Sequence, residues 1–316
     1  MERDIGRCNT SRVVSSGAVT RGTIDRGYFP AGESTLRRVH GERAVGLNYG
    51  QRALMLGAAH PVNFIGTQAN TRSGARPFLR LAHTAKVFET VFFGTRGEAD
   101  KALAFVDRLH QRVRGELDAD AGPWPAGTAY TAFDPPLMLW TVAVIADSAE
   151  AFYETFVRPL GSEERESLWR DYVRFGELFG MPRDAAPASY AEFRAYWEGM
   201  WTGGELHLTD EAREVALAIA FEIPMPRYLH PSREVHNLVL AGTLPARVRR
   251  MYGVRWTPLH EVAFRSAVRT LRVARPVTPK RVRRGGNTAS FEMVARTEKQ
   301  LIASGRATLP SQTAAL

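Results

Sequence analysis

Cysteine is almost missing from this chain: Cys8 is the single one in 316 residues. No intramolecular disulfide can form, and a thiolate metal site needs several cysteines, so a metal here would be held by histidine, carboxylate or a cofactor. Cys8 sits in a polar stretch and is assigned no role. Long apolar runs are also lacking. The most apolar stretch, residues 136–146, is too short to cross a bilayer and reads as a buried helix. Residues 1–27 hold no apolar run of the length a secretion signal needs, so the expected location is the cytoplasm. Alternating strand patterns joined by turn dipeptides are nearly absent. There is no phosphate loop, no GxGxxG after a strand, no GxSxG and no HExxH, which removes the commonest nucleotide-binding and hydrolase classes. No internal repeat and no low-complexity run is found.

What is present is a composition that folds. Hydrophobic residues make up 44% of the chain, with 16 Phe, 9 Tyr and 6 Trp, enough for a substantial core in one domain. The net charge of +9 is unevenly spread: from Arg247 to Arg284 there are twelve Arg or Lys against one acid, Glu261. Residues 1–27 read as a polar, aperiodic extension, 28–284 as the folded domain, and 285–316 as a helical or loose tail. The fold class expected is all-α. Helical periodicity covers 34–47, 49–60, 77–93, 97–115, 135–157, 162–180, 189–200, 209–221, 244–252 and 258–273. Start signals stand at Ser162 and Thr209, each followed by acids, and stop glycines at Gly94, Gly115 and Gly180.

Among eight histidines, His110 stands out by position. On the segment 97–115, Leu103, Val106, His110 and Val113 are spaced by three and four, which turns His110 inward. A buried imidazole needs a partner for each ring nitrogen; a backbone carbonyl or an iron ion both satisfy that demand. Arg80, His83 and Thr84 form a second group, spaced for one helical side, able to address an anion or equally to be the polar face of an amphipathic helix. Arg114 follows His110 by one turn and reads either as a partner for a carboxylate or as a helix C-terminal cation.

These residues carry a resemblance. Gly41-Glu42-Arg43-Ala44, Ala59-His60-Pro61, Arg80-x-x-His83-Thr84 and Phe92-Phe93-Gly94-Thr95 come first, then His110-x-x-Val113-Arg114-Gly115 and Tyr130-x-Ala132-x-Asp134-Pro135. Leu139-Trp140, Asp147-Ser148, Pro159-Leu160, Gly180-Met181-Pro182 and Tyr252-Gly253-x-x-Trp256-x-Pro258 complete the series. In order and spacing, over about 28–284, the chain resembles the haem-dependent oxygenase family of bacterial latex-clearing proteins and the fungal mycophenolate-pathway oxygenase. The resemblance implies a globin-like helical core with haem b, and His110 at the position of the axial iron ligand. It places Arg80, His83 and Thr84 at the distal Arg-x-x-Lys-Thr, and Arg114 at a pocket arginine. Two departures stand out: His83 replaces a lysine, and Val142 stands where many bacterial relatives carry histidine.

The function expected is therefore a haem-b oxygenase acting with O₂ on a small apolar, isoprenoid-like substrate through Arg80, His83 and Thr84. The alternative is a haem-binding sensor or carrier without turnover, which the two departures favour. In the basic region, 258–273 sets Leu259, Val262, Val268 and Leu271 on one side and Arg265, Arg269 and Arg272 on the other. This reads as a core helix with a solvated face or as a helix lying peripherally on an anionic membrane. Nucleic acid is not expected as a partner, because the region lacks interleaved exposed aromatics and any known module. No feature of the sequence specifies an oligomeric state.

Overall fold

The computed structural model describes residues 26–69 and 76–306. Among them run α1 (Thr35–His40), α2 (Arg43–Ala58), α3 (Pro61–Ala69), α4 (Pro77–Phe93), α5 (Arg96–His110), α6 (Pro135–Phe156), α7 (Ser162–Leu178) and α8 (Tyr190–Thr202). The order continues with α9 (Asp210–Phe221), α10 (His230–Thr243), α11 (Ala246–Met251), α12 (Pro258–Ala274), α13 (Lys280–Arg283) and α14 (Thr288–Ala303). Between α5 and α6 lies a two-stranded antiparallel hairpin, β1 (Arg114–Glu116) with β2 (Ala129–Thr131), in which Gly115 faces Tyr130. The fold is all-α apart from this hairpin.

Several helices start where a side chain satisfies a free N–H group. Thr95 opens α5, accepting from the N–H of Glu98 while Glu98 accepts from the N–H of Thr95. Ser189 and Thr209 cap α8 and α9 in the same way. Pro61, Pro77, Pro135 and Pro258 each stand as the first residue of a helix, where the missing N–H is not needed.

The centre of the molecule is α6, 22 residues long and apolar on almost every side, with Trp140, Ala143, Ala149 and Phe152 fully buried. It packs against α2, and one polar knot crosses that contact. Arg52 of α2 donates to Asp147 at 2.7 Å and Ser148 at 3.0 Å, and Arg194 of α8 donates to the other Asp147 oxygen at 2.7 Å. A charge so deep needs such partners. Trp140 stacks on Trp197 of α8, with ring centroids 5.5 Å apart.

Several boundaries differ from the periodicity. The helix expected over 34–47 breaks at Gly41-Glu42, and α2 runs through the break expected after Leu47. Glu42 holds that break from outside: its buried carboxylate meets Arg275 at 2.7 Å and Arg284 at 3.1 Å. The helix expected to Gly115 stops at His110, and Arg114 enters a strand instead. Pairing with β2 outweighs helix propensity there, and a Cβ on Gly115 would come 2.6 Å from the Tyr130 hydroxyl. Helices α3, α10 and α13 carry no counterpart among the expected segments, and α14 falls in the stretch expected as a helical or loose tail.

Candidate functional site

A cavity of about 690 Å³ lies beside the α2–α6 contact. The residues of α2 make room for it. Gly46, Gly50, Ala53 and Gly57 recur at three and four along one side of the helix and all face the cavity. At Gly50 an added Cβ would meet nothing within 4 Å. Opposite, α6 contributes Val144 and Ile145, α9 contributes Val215 and Ile219, and α10 contributes Val239. Leu47, Val235 and Leu271 line the cavity and are themselves exposed, so its rim lies where α2, α10 and α12 meet.

Polar groups on this wall are few. Arg80 and Thr84 of α4, four residues apart, both line it. The Arg80 guanidinium donates to the carbonyl of Thr67 at 3.4 Å, and burial holds its pKa below the usual arginine value. His236 of α10 also lines the wall. The Asn48 amide donates to the Ala44 carbonyl at 2.6 Å, which leaves its oxygen facing His236 Nδ1 at 2.6 Å, while His236 Nε2 faces the carbonyl of Ala220 at 3.3 Å. Burial lowers the His236 pKa.

The other expected residues are placed differently. His83 is exposed on α4 and does not line the cavity. Arg114 is exposed in β1 and donates to the carbonyl of Gln111 at 3.0 Å. Val142 is buried but points to α7, where a Cβ on Gly176 would meet its methyl at 3.1 Å. His110 ends α5, half-buried, edge-on to Phe133 with ring centroids 6.0 Å apart. It is not among the cavity's lining residues. Its Nδ1 is buried and has no hydrogen-bond partner, and burial lowers its pKa.

Whether these residues fit a haem turns on that nitrogen. A buried imidazole nitrogen without a hydrogen-bond partner is a donor that an iron ion could take up. Among the described residues no group of three or more His, Cys, Asp or Glu side chains is placed to hold a metal ion. A haem iron asks for one axial side chain rather than such a group, so His110 fits in kind.

Sequence reasoning found Arg80 and Thr84 and missed His236, Asn63 and Thr141, which also line the wall. A signal for His236 existed: His236, Val239, Leu240 and Thr243 are spaced by three and four, the pattern of a one-sided helix.

Among the described residues the chain is helical apart from one hairpin, with a mainly apolar cavity whose wall carries Arg80, Thr84, His236, Asn63 and Thr141, the make-up typical of a small-molecule pocket. The chain belongs to the family described as ER-bound oxygenase mpaB/B'/Rubber oxygenase, catalytic domain, which it matches over residues 37–273. It is also similar to uncharacterized proteins of Mycobacterium bovis and Mycobacterium tuberculosis, each 26% identical over 208 residues, covering 65% of this chain and 77% of the relative. No solved structure matches.

Proposed function

We propose that this protein is a haem-b-dependent oxygenase that takes a small apolar, isoprenoid-like substrate, with O₂, into the cavity beside α2 and α6. The observation that carries this reading is the apolar cavity with Arg80 and Thr84 on its wall, in a chain of an oxygenase family. Bound haem supplies oxygen activation and the redox chemistry. The chain supplies the rest. His110, whose buried Nδ1 has no hydrogen-bond partner, would hold the iron. Arg80 presents a desolvated cation to a carboxylate or a developing negative charge, and Thr84 presents a hydroxyl one turn away. The apolar walls exclude water and select an apolar ligand. A globin-like arrangement around the cofactor, and parts for His83 and Arg114 in holding substrate or propionate, belong to the same proposal. Oxygen uptake by haem-loaded protein given an isoprenoid olefin tests it. Consumption coupled to oxidised product supports the oxygenase. Stable haem binding without turnover favours the sensor or carrier.

A peripheral membrane contact is proposed in narrowed form, because α12 exposes Leu259, Val262 and Val273 at 77%, 61% and 69%. Among the described residues no helix is long and apolar enough to cross a membrane. Of the three arginines on α12, Arg272 donates to the carbonyls of Thr155 and Glu154 and Arg265 pairs with Glu261 at 2.7 Å. Arg269 is left as the available cation of the three.

A further inference from the structure

Helix α14 lies beyond the residues that match the family, yet it builds one wall of the cavity. Ser290, Phe291, Met293 and Val294 all line it. The helix runs antiparallel to α4, and each of the two carries a carboxylate to the other's N-terminus. Glu298 of α14 is fully buried and accepts from the N–H groups of Phe78 at 3.0 Å and Leu79 at 2.9 Å. Those are second- and third-position donors of α4, and its own N-cap, Arg76, provides no side-chain bond to them. At the other end Glu89 of α4 accepts from the Asn287 N–H and from the Thr288 hydroxyl, the latter at 2.5 Å. Two negative groups thus sit at two positive helix ends, and each bond ties one helix to the other.

The chain leading into α14 is fastened too. Arg275 and Arg284 reach Glu42, and Arg43 donates to the carbonyls of Arg284 at 3.1 Å and Gly286 at 2.5 Å. Part of the C-terminal basic charge is thereby used inside the molecule, on the Gly41–Ala44 landmark. What this fastening delivers is a row of apolar side chains set against the same α4 that carries Arg80 and Thr84.

We propose that α14 is the specificity wall of the cavity: Phe291 and Val294 set the size of apolar ligand it admits, and the Glu89 and Glu298 clamp holds that wall in place. The proposal rests on reading the cavity as the ligand chamber. It is tested on the full chain, without haem or O₂, by fluorescence titration with N-phenyl-1-naphthylamine and the longer 1,6-diphenyl-1,3,5-hexatriene. Phe291→Trp and Val294→Trp should each weaken binding of the longer probe by at least about tenfold, the effect of filling space in a closed pocket. Phe291→Leu should shift preference toward the longer probe. Glu298→Gln should speed hydrogen exchange at the amides of Phe78 and Leu79 and along α14. Folded Trp variants that bind both probes as the wild type does would overturn the proposal, and so would a wild type that binds neither. If the Trp variants do not fold, an unchanged probe preference in Phe291→Leu overturns it. Probe binding without haemin uptake would remove the oxygenase reading and leave the wall; haemin uptake with size-blind probe binding would do the reverse.

Discussion

At His40 the imidazole is buried between Phe92, stacked at 4.3 Å, and Tyr49, edge-on at 4.6 Å, with the Tyr172 hydroxyl 2.6 Å from Nε2. Burial pushes its pKa from 6.5 down to about 3, and that of His60 down to about 4. In the unfolded chain both protonate as pH falls through the ordinary histidine value near 6.5; in the folded chain neither does until far lower. The unfolded state therefore binds more protons across that window, so their contribution to stability is intact above pH 6.5 and declines as pH falls toward 4. His40→Phe should flatten the pH dependence of urea unfolding between pH 6.5 and 4.5 by about 1.4 kcal/mol per pH unit. An unchanged slope would mean that His40 takes up its proton in the native state. Still at this scale, Arg80→Ala should impair ligand binding in the cavity more than His83→Ala, since Arg80 lines it and His83 is exposed. Titration of both variants with an apolar probe checks this, and the reverse order would contradict the placement. The spacing of Arg80, His83 and Thr84 was legible in the sequence. Which of them faces the cavity was not, because that depends on how α4 rolls against α14 and α5.

Among the elements, those with a clear start signal were legible: α8, α9 and α12, each with a side-chain cap, and α4 and α6, each opened by a proline, fall close to the expected spans. Others depend on distant partners. Helix α1 ends where Glu42 receives arginines more than two hundred residues away, and α5 ends where β1 finds β2. Glu298 reads as an ordinary charged residue of a tail until Phe78 and Leu79 supply its donors. Asp147 joins three elements through Arg52 and Arg194. Asp147→Ala leaves Arg52 buried without its carboxylate and should cost about 3–5 kcal/mol in denaturant unfolding. A loss under about 1 kcal/mol would show the knot to be dispensable. For α12, sedimentation with liposomes should show binding that requires anionic lipid and drops on Arg269→Glu, with a smaller effect from Arg272→Glu, whose arginine is turned inward. Equal binding to neutral vesicles would reject an electrostatic contact.

At the scale of the molecule, the main apolar core among the described residues surrounds α6, and the cavity beside it is walled by helices from the first, middle and last parts of the chain. The all-helical class and the oxygenase family were both accessible from order and spacing of short landmarks. The cavity was not, because it is assembled from α2, α4, α9, α10 and α14, of which α10 had no expected counterpart and α14 was expected only as a helical or loose tail. Whether His110 holds a haem, as proposed, is decided by an absorption titration of the purified full chain with haemin. The expected result is a sharp Soret band that saturates at one haemin per chain in the wild type and is largely lost in His110→Ala, whose fold by circular dichroism is unchanged. A wild type that gives only the broad spectrum of free haemin, or a variant whose Soret band matches the wild type, would contradict it.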